Sequence, residues 1–298
     1  MIFTNSLKCG VVITLTPRLI IVYQTHQPCQ EPTILYLSYM SNLSYMSYNT
    51  VMNFYEDKET AEQFIEFLES PNGAIQKQIL LETLEPHLPK DTNSKILDAA
   101  CGTGWLAGEL SKTYPSIQAF DSSSTLIKHA QKEFPHVNFQ VLDAGRELPY
   151  QDNLFDLIIL SMASHDLEDQ PKSFANLFRI VQPEGTLLVT LANPYYSFPV
   201  GVWKRGLLRA LLGKKPLLRL RPYNFFRNLH DRAFKWNSRL TSRFYPLSEQ
   251  INNLLGAGFT LTHMQDLVSR TDSPTFNATY QLHRFPTILL LKLKKPLE

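Results

Sequence analysis

Apolar positions change their period along this chain, and the change divides it. From Glu56 onward, Ala61, Phe64, Ile65 and Leu68 recur at helical spacing, and Pro71-Asn72-Gly73 predicts the end of that helix. A second helix is predicted over about 74–84, carrying Ile75, Ile79, Leu80 and Leu84 ahead of Pro86 and Pro89. Short apolar runs then alternate with helical stretches. Strands are predicted over 95–99, 117–120, 137–141, 155–160 and 186–191, with helices near 104–113, 123–133 and 171–181 between them. A helix over 247–255 stops at Gly256 and Gly258, and strands over 259–267 and 287–293 complete the pattern. Strict alternation calls for an α/β fold with a mostly parallel sheet covered on both faces. Such sheets bind ligands beyond the carboxyl ends of their strands.

Residues 1–51 do not join this pattern. An apolar run over 10–23 is broken by Pro17-Arg18, and no small-residue cleavage site follows it. Each half is too short for a bilayer span, which needs about 20 apolar residues. The stretch 37–48, LSYMSNLSYMSY, is a short tandem repeat. The segment is expected to be an extension without regular structure, or to lie upstream of the true start. The functional domain is expected over 52–298.

Composition adds little: 44% hydrophobic and 19% charged residues make an ordinary globular chain with a net charge of +2. Cys9, Cys29 and Cys101 are irregularly spaced, which supports neither a disulfide framework nor a zinc site and fits a cytoplasmic location.

The chemistry gathers at strand ends. Asp98 leads into Ala99-Ala100-Cys101-Gly102-Thr103-Gly104, and a helix opens at Trp105. Glycine permits close backbone approach of a ligand, and a helix N-terminus offers unpaired N–H donors to a carboxylate. Gly102-x-Gly104-x-x-Ala107 also satisfies a dinucleotide fingerprint. Asp98 argues against that reading, because its carboxylate would repel a pyrophosphate and attract an ammonium. Asp121 and Ser122 follow the second strand, where Asp121 serves either a ribose diol or the N-cap of the next helix. After the third strand come Asp143-Ala144-Gly145-Arg146-Glu147-Leu148-Pro149-Tyr150 and then Phe155-Asp156.

In this order the motifs resemble those of class I S-adenosylmethionine-dependent methyltransferases, over about 75–192 and more loosely over 247–293. The resemblance implies a Rossmann-like, seven-stranded, mostly parallel sheet with helices on both faces and an N-terminal helical lid. It also implies S-adenosyl-L-methionine as cofactor. Asp98, Ala100, Cys101, Gly102 and Gly104 would then wrap its methionine part, and Asp121 with Ser122 its ribose. Asp143 would accept from the adenine amine, and the Ala144 N–H would contact the ring. Tyr55 stands where related enzymes place residues that lid the cofactor. The family commonly has Gly where Ala99 stands. No metal is implied.

A general base is required only where the acceptor loses a proton early. The fourth strand runs into Ser161-Met162-Ala163-Ser164-His165-Asp166. His165 is the candidate acceptor-side base, against a structural role as a cap or packed ring, and Ser161 is a candidate for the adenosyl side. Asn193-Pro194-Tyr195-Tyr196 resembles an adenine-N6 methyltransferase motif, but it follows the fifth strand with one proline missing and is discounted.

Residues 194–246 differ in character. Twelve Lys and Arg stand against Asp231 alone, with aromatics such as Trp203, Phe226 and Trp236 interleaved. This basic insertion after the fifth strand is expected to cap a small anionic or lipophilic acceptor. A peripheral membrane contact through 200–245 ranks second and a nucleic-acid surface third. Two other functions stay open at this point: a nicotinamide oxidoreductase, and a cofactor-binding protein without transferase activity.

Overall fold

A computed structural model describes residues 11–16, 19–24, 33–37, 55–193, 201–204, 217–220, 234–235, 241–242, 245–267 and 288–297. By internal contacts the chain forms two units, Met1–Val51 and Met52–Glu298. In the first, strands Val11–Thr16, Leu19–Gln24 and Thr33–Leu37 pair antiparallel in that order. This differs from the expected absence of regular structure. Both halves of the broken apolar run are rich in β-branched residues, which favour strands, and Thr16 pairs with Leu19.

The second unit opens with α1 (Lys58–Glu69) and α2 (Pro71–Leu84). Asp57 caps α1 by accepting from the Thr60 N–H. Ser70 ends α1 and caps α2, with Pro71 at the first helical position. Pro71-Asn72-Gly73 therefore starts a helix as well as ending one. A proline costs no hydrogen bond where the N–H would lack an intrahelical partner.

The remaining elements alternate: β1 (Ile96–Ala99), α3 (Trp105–Leu110), β2 (Gln118–Asp121), α4 (Ser124–Glu133), β3 (Asn138–Val141), β4 (Phe155–Ser161), α5 (Gln170–Ile180) and β5 (Val181–Ala192). After the insertion come α6 (Leu247–Gly256), β6 (Thr260–Leu267) and β7 (Ile288–Lys294). β5 begins five residues earlier than the pattern suggests. Gln182-Pro183-Glu184-Gly185 reads as a turn, yet it is carried into the strand with Glu184 at φ +62°.

Seven strands form one sheet in the order β6-β7-β5-β4-β1-β2-β3. Strands β5, β4, β1, β2 and β3 are mutually parallel, and β7 is antiparallel to both β5 and β6. The fold is the expected seven-stranded α/β arrangement with helices on both faces. Alternation along β4 shows how the faces are shared. Ile158 and Leu160 pack with Phe174, Leu177 and Leu254, while Leu157 and Ile159 pack with Ile79, Leu106 and Ile127. The chain builds outward from β1 to β3 and then returns to the other side of β1 with β4, so the strand order reverses between β1 and β4. That reversal opens a crevice at the carboxyl ends of these two strands.

Candidate active site

β1 delivers Asp98 into the core. Its side chain is 1% exposed, it accepts from the Ala107 N–H of α3, and its Oδ2 has no hydrogen bond. Burial pushes the carboxyl up to about 8; the Ala107 N–H opposes this and Asp121 adds to it. The turn that follows holds Ala100, Gly102 and Gly104 at φ +53°, +55° and +72°. The backbone position that favours glycine is thus Ala100, and Ala99 lies one residue earlier within the strand.

The glycines also have a packing role. A Cβ on Gly104 would lie 2.7 Å from Ala130 Cβ of α4 and from the Phe139 ring of β3. One on Gly102 would meet the Phe64 ring at 3.3 Å. Gly104 therefore seats α3 against its neighbours, beyond any close approach of a ligand. Cys101 is buried in the same turn, and burial, then Asp98 and Asp121, push its thiol well up.

Asp121 ends β2 beside this loop. It accepts from the Gly102 N–H through Oδ2 and from the Ser123 N–H through Oδ1, both at 2.8 Å. It does not cap α4; Ser123 does, accepting from the Leu126 N–H. Burial raises the Asp121 carboxyl, and its backbone donors hold it back. Ser122 is exposed beside it.

Beyond β3, Asp143 accepts from the Gly145 N–H at 2.8 Å, and its Oδ2 lies 3.5 Å from Arg146 Nε. Ala144 is buried against the core.

The segment preceding α1 reaches the same crevice. The Tyr55 hydroxyl bonds Asp166, and its carbonyl accepts from Ser123 Oγ. Its phenol is pushed well up by burial, then by Asp166 and Asp121. Glu56 takes the Ser124 N–H at 2.9 Å and the Ser124 hydroxyl at 2.7 Å, which fastens the lid to the N-terminus of α4. Neither Glu56 nor Asp166 was singled out by sequence reasoning. Their partners lie far away in the chain, so no local spacing marks them.

His165 sits in a short 3-10 turn, Ser164–Asp166, past β4. Its Nε2 lies 3.5 Å from Asp166 Oδ2, and its Nδ1 is buried without a hydrogen bond. Ser161 Oγ lies 3.1 Å from Thr190 Oγ1 of β5, so its hydroxyl is engaged within the sheet. Asn193 is buried and donates to Asp266 of β6, a structural tie. The side chains of the basic insertion, and hence the expected acceptor cap, lie outside the described residues. No helix among the described residues is long and apolar enough to cross a membrane.

Tyr55, Asp98, Gly102, Asp121 and Asp166 thus converge on the crevice where the strand order reverses, and residues 97–189 match the family model described as a methyltransferase domain. Residues 97–189 carry a methyltransferase domain, and the fold around them is that of S-adenosylmethionine-dependent methyltransferases. An uncharacterised methyltransferase of Mycobacterium bovis is 33% identical over 136 residues, covering 44% of this chain and 65% of that protein. The match therefore spans just under two thirds of that relative. A ubiquinone/menaquinone biosynthesis C-methyltransferase of Desulfotalea psychrophila is 25% identical over 186 residues, covering 59% of this chain and 70% of its own. Among solved structures, an S-adenosylmethionine-dependent methyltransferase from Mesorhizobium loti superposes with a TM-score of 0.55 at 18% identity, over 74% of this chain and 99% of that one. The acceptor groups at this crevice would suit S-adenosylmethionine. Asp98 offers a buried carboxylate oxygen to an ammonium, Asp121 has lone pairs left for a diol, and Asp143 has Oδ2 left for an amine.

Proposed function

We propose that this protein transfers a methyl group from S-adenosylmethionine to a small anionic or lipophilic acceptor. The observation that carries this is the pair of buried carboxylates, Asp98 and Asp121, set against the positive-φ turn at the sheet's reversal. Carboxyls that can ionise against a cation favour a cationic amino-acid nucleoside over the pyrophosphate of a nicotinamide dinucleotide. The cofactor's sulfonium supplies an electrophilic methyl group. The protein's own work is then binding, alignment and exclusion of water. The Tyr55–Asp166 bond and the Glu56–Ser124 pair close the lid over that site.

His165 is the candidate base for an acceptor that must lose a proton, and Asp166 beside Nε2 would orient its ring. If it acts so, His165→Ala lowers turnover by about 10²–10⁴-fold with little change in cofactor affinity. Relatives named for ubiquinone and menaquinone methylation support a lipophilic acceptor. The test is in two steps. Calorimetry should find binding of S-adenosylhomocysteine and none of NAD, and the opposite result would sink the reading. Incubation with methyl-labelled cofactor and fractionated cell extract should then place label in the lipid or the small-molecule fraction. Label confined to protein or nucleic acid would overturn the acceptor class.

A further inference from the structure

The loop after β3 is held from behind by α5. Asn176 Nδ2 donates to the carbonyl of Ala144 at 2.8 Å and to that of Arg146 at 2.6 Å. The Ala144 carbonyl and the Gly145 N–H belong to one planar peptide unit, so fixing one end fixes the other. That N–H donates to Asp143 Oδ1 at 2.8 Å. A continuous line therefore runs from Asn176 through one peptide plane to the Asp143 carboxylate, and hydrogen bonds in such a line polarise one another. With Oδ1 engaged inward, Oδ2 is the oxygen left to the ligand. Arg146 Nε lies 3.5 Å from it, on a side chain 81% exposed.

We propose that Asn176 is a positioning residue which aims Asp143 through the 144–145 peptide, and so sets this site's selectivity for a purine that carries an exocyclic amine. The proposal rests on Asp143 as the group that accepts from the cofactor's base. An amide suits the task because its single nitrogen carries two donors, one for each carbonyl. Aspartate at 176 would turn oxygens on both. The far half of the loop is held separately: Arg179 donates to Leu148 O and Tyr150 O, each at 2.8 Å, and pairs with Asp152 at 2.6 Å. Arg179 is thus an internal control, since it braces the loop without touching the Asp143 line.

The experiment compares affinities for S-adenosylhomocysteine and for its S-inosyl counterpart, which has a carbonyl in place of the amine. Wild type should prefer the amine by about tenfold or more, the scale of one hydrogen bond to a charged group. Asp143→Ala should abolish the preference. Asn176→Leu should reduce it about fivefold, a neutral hydrogen bond's worth. Asn176→Ser, which adds no bulk, should do the same if the Leu variant fails to fold. Arg179→Lys should lower the melting temperature and leave the preference intact. A wild-type preference that survives Asp143→Ala, or none in wild type, would refute the reading of Asp143 itself. A preference lost in Asp143→Ala but kept in a folded Asn176 variant would refute the role of Asn176 alone.

Discussion

At the scale of single residues, two buried carboxylates dominate. Asp121 satisfies two backbone donors, so Asp121→Ala would strand the N–H groups of Gly102 and Ser123 as well as remove the proposed ligand contact. Asp121→Asn keeps the shape and is the milder probe, although its single oxygen can serve only one of the two N–H groups and its amide nitrogen then faces the other. It should weaken S-adenosylhomocysteine binding about 10- to 150-fold, the loss expected for hydrogen bonds to a charged group, with the fold retained. Calorimetry finding wild-type affinity in that variant would remove Asp121 from the site.

Asp98 makes stability depend on pH. Burial raises it from the usual 3.8 to about 8, so the folded ligand-free protein keeps a proton that the unfolded chain gives up. The contribution is complete below about pH 4, falls as pH rises and is lost above about pH 8. Denaturant titrations should find a flatter decline over that window for Asp98→Asn. An ammonium against Asp98 would favour its ionised form, so binding S-adenosylhomocysteine near pH 7 should release a proton. Binding heats that do not vary between phosphate and Tris buffers would argue against that contact.

At the scale of elements, the turn between β1 and α3 depends on glycine for reasons of packing. Gly104 combines φ +72° with space already filled by Ala130 and Phe139. Gly104→Ala should therefore cost about 2–5 kcal/mol, from left-handed strain plus overpacking. Chemical denaturation measures this, and a loss below about 1 kcal/mol would mean that α4 and β3 yield. The lid illustrates a second point. Helical periodicity predicts α1, whereas its fastening through Glu56 to Ser124 and Tyr55 to Asp166 depends on residues 68 or more positions apart. No window of sequence holds both partners.

At the scale of the whole molecule, the division at Val51 and Met52 gives a direct test. A chain beginning at Met52 should fold and bind S-adenosylhomocysteine as the full chain does. A melting point several degrees lower, or insolubility, would mean that the first unit supports the second.

What the sequence by itself determined is what short-range physics writes locally. Alternating strand and helix periods specify the doubly wound sheet, and carboxylates at three successive strand ends mark the candidate site. Asp98, Asp121 and Asp143 are legible because a strand end is a local feature. Folding alone decided how these groups are used. It paired Val181 with Phe155 ahead of the turn-like residues 182–185, which the ladder skips as an irregularity where Glu184 holds φ +62° and donates its N–H to the Lys295 carbonyl. It made Ser123 the cap of α4 and freed Asp121 to join two loops. It set Asp166 beside Tyr55 and Asn176 behind Asp143, contacts between residues that no spacing rule relates. Hydrophobic period survives as a one-dimensional signal because every turn of a helix repeats it. A hydrogen bond between distant side chains has no such repeat, and exists only once the sheet has brought its strand ends together.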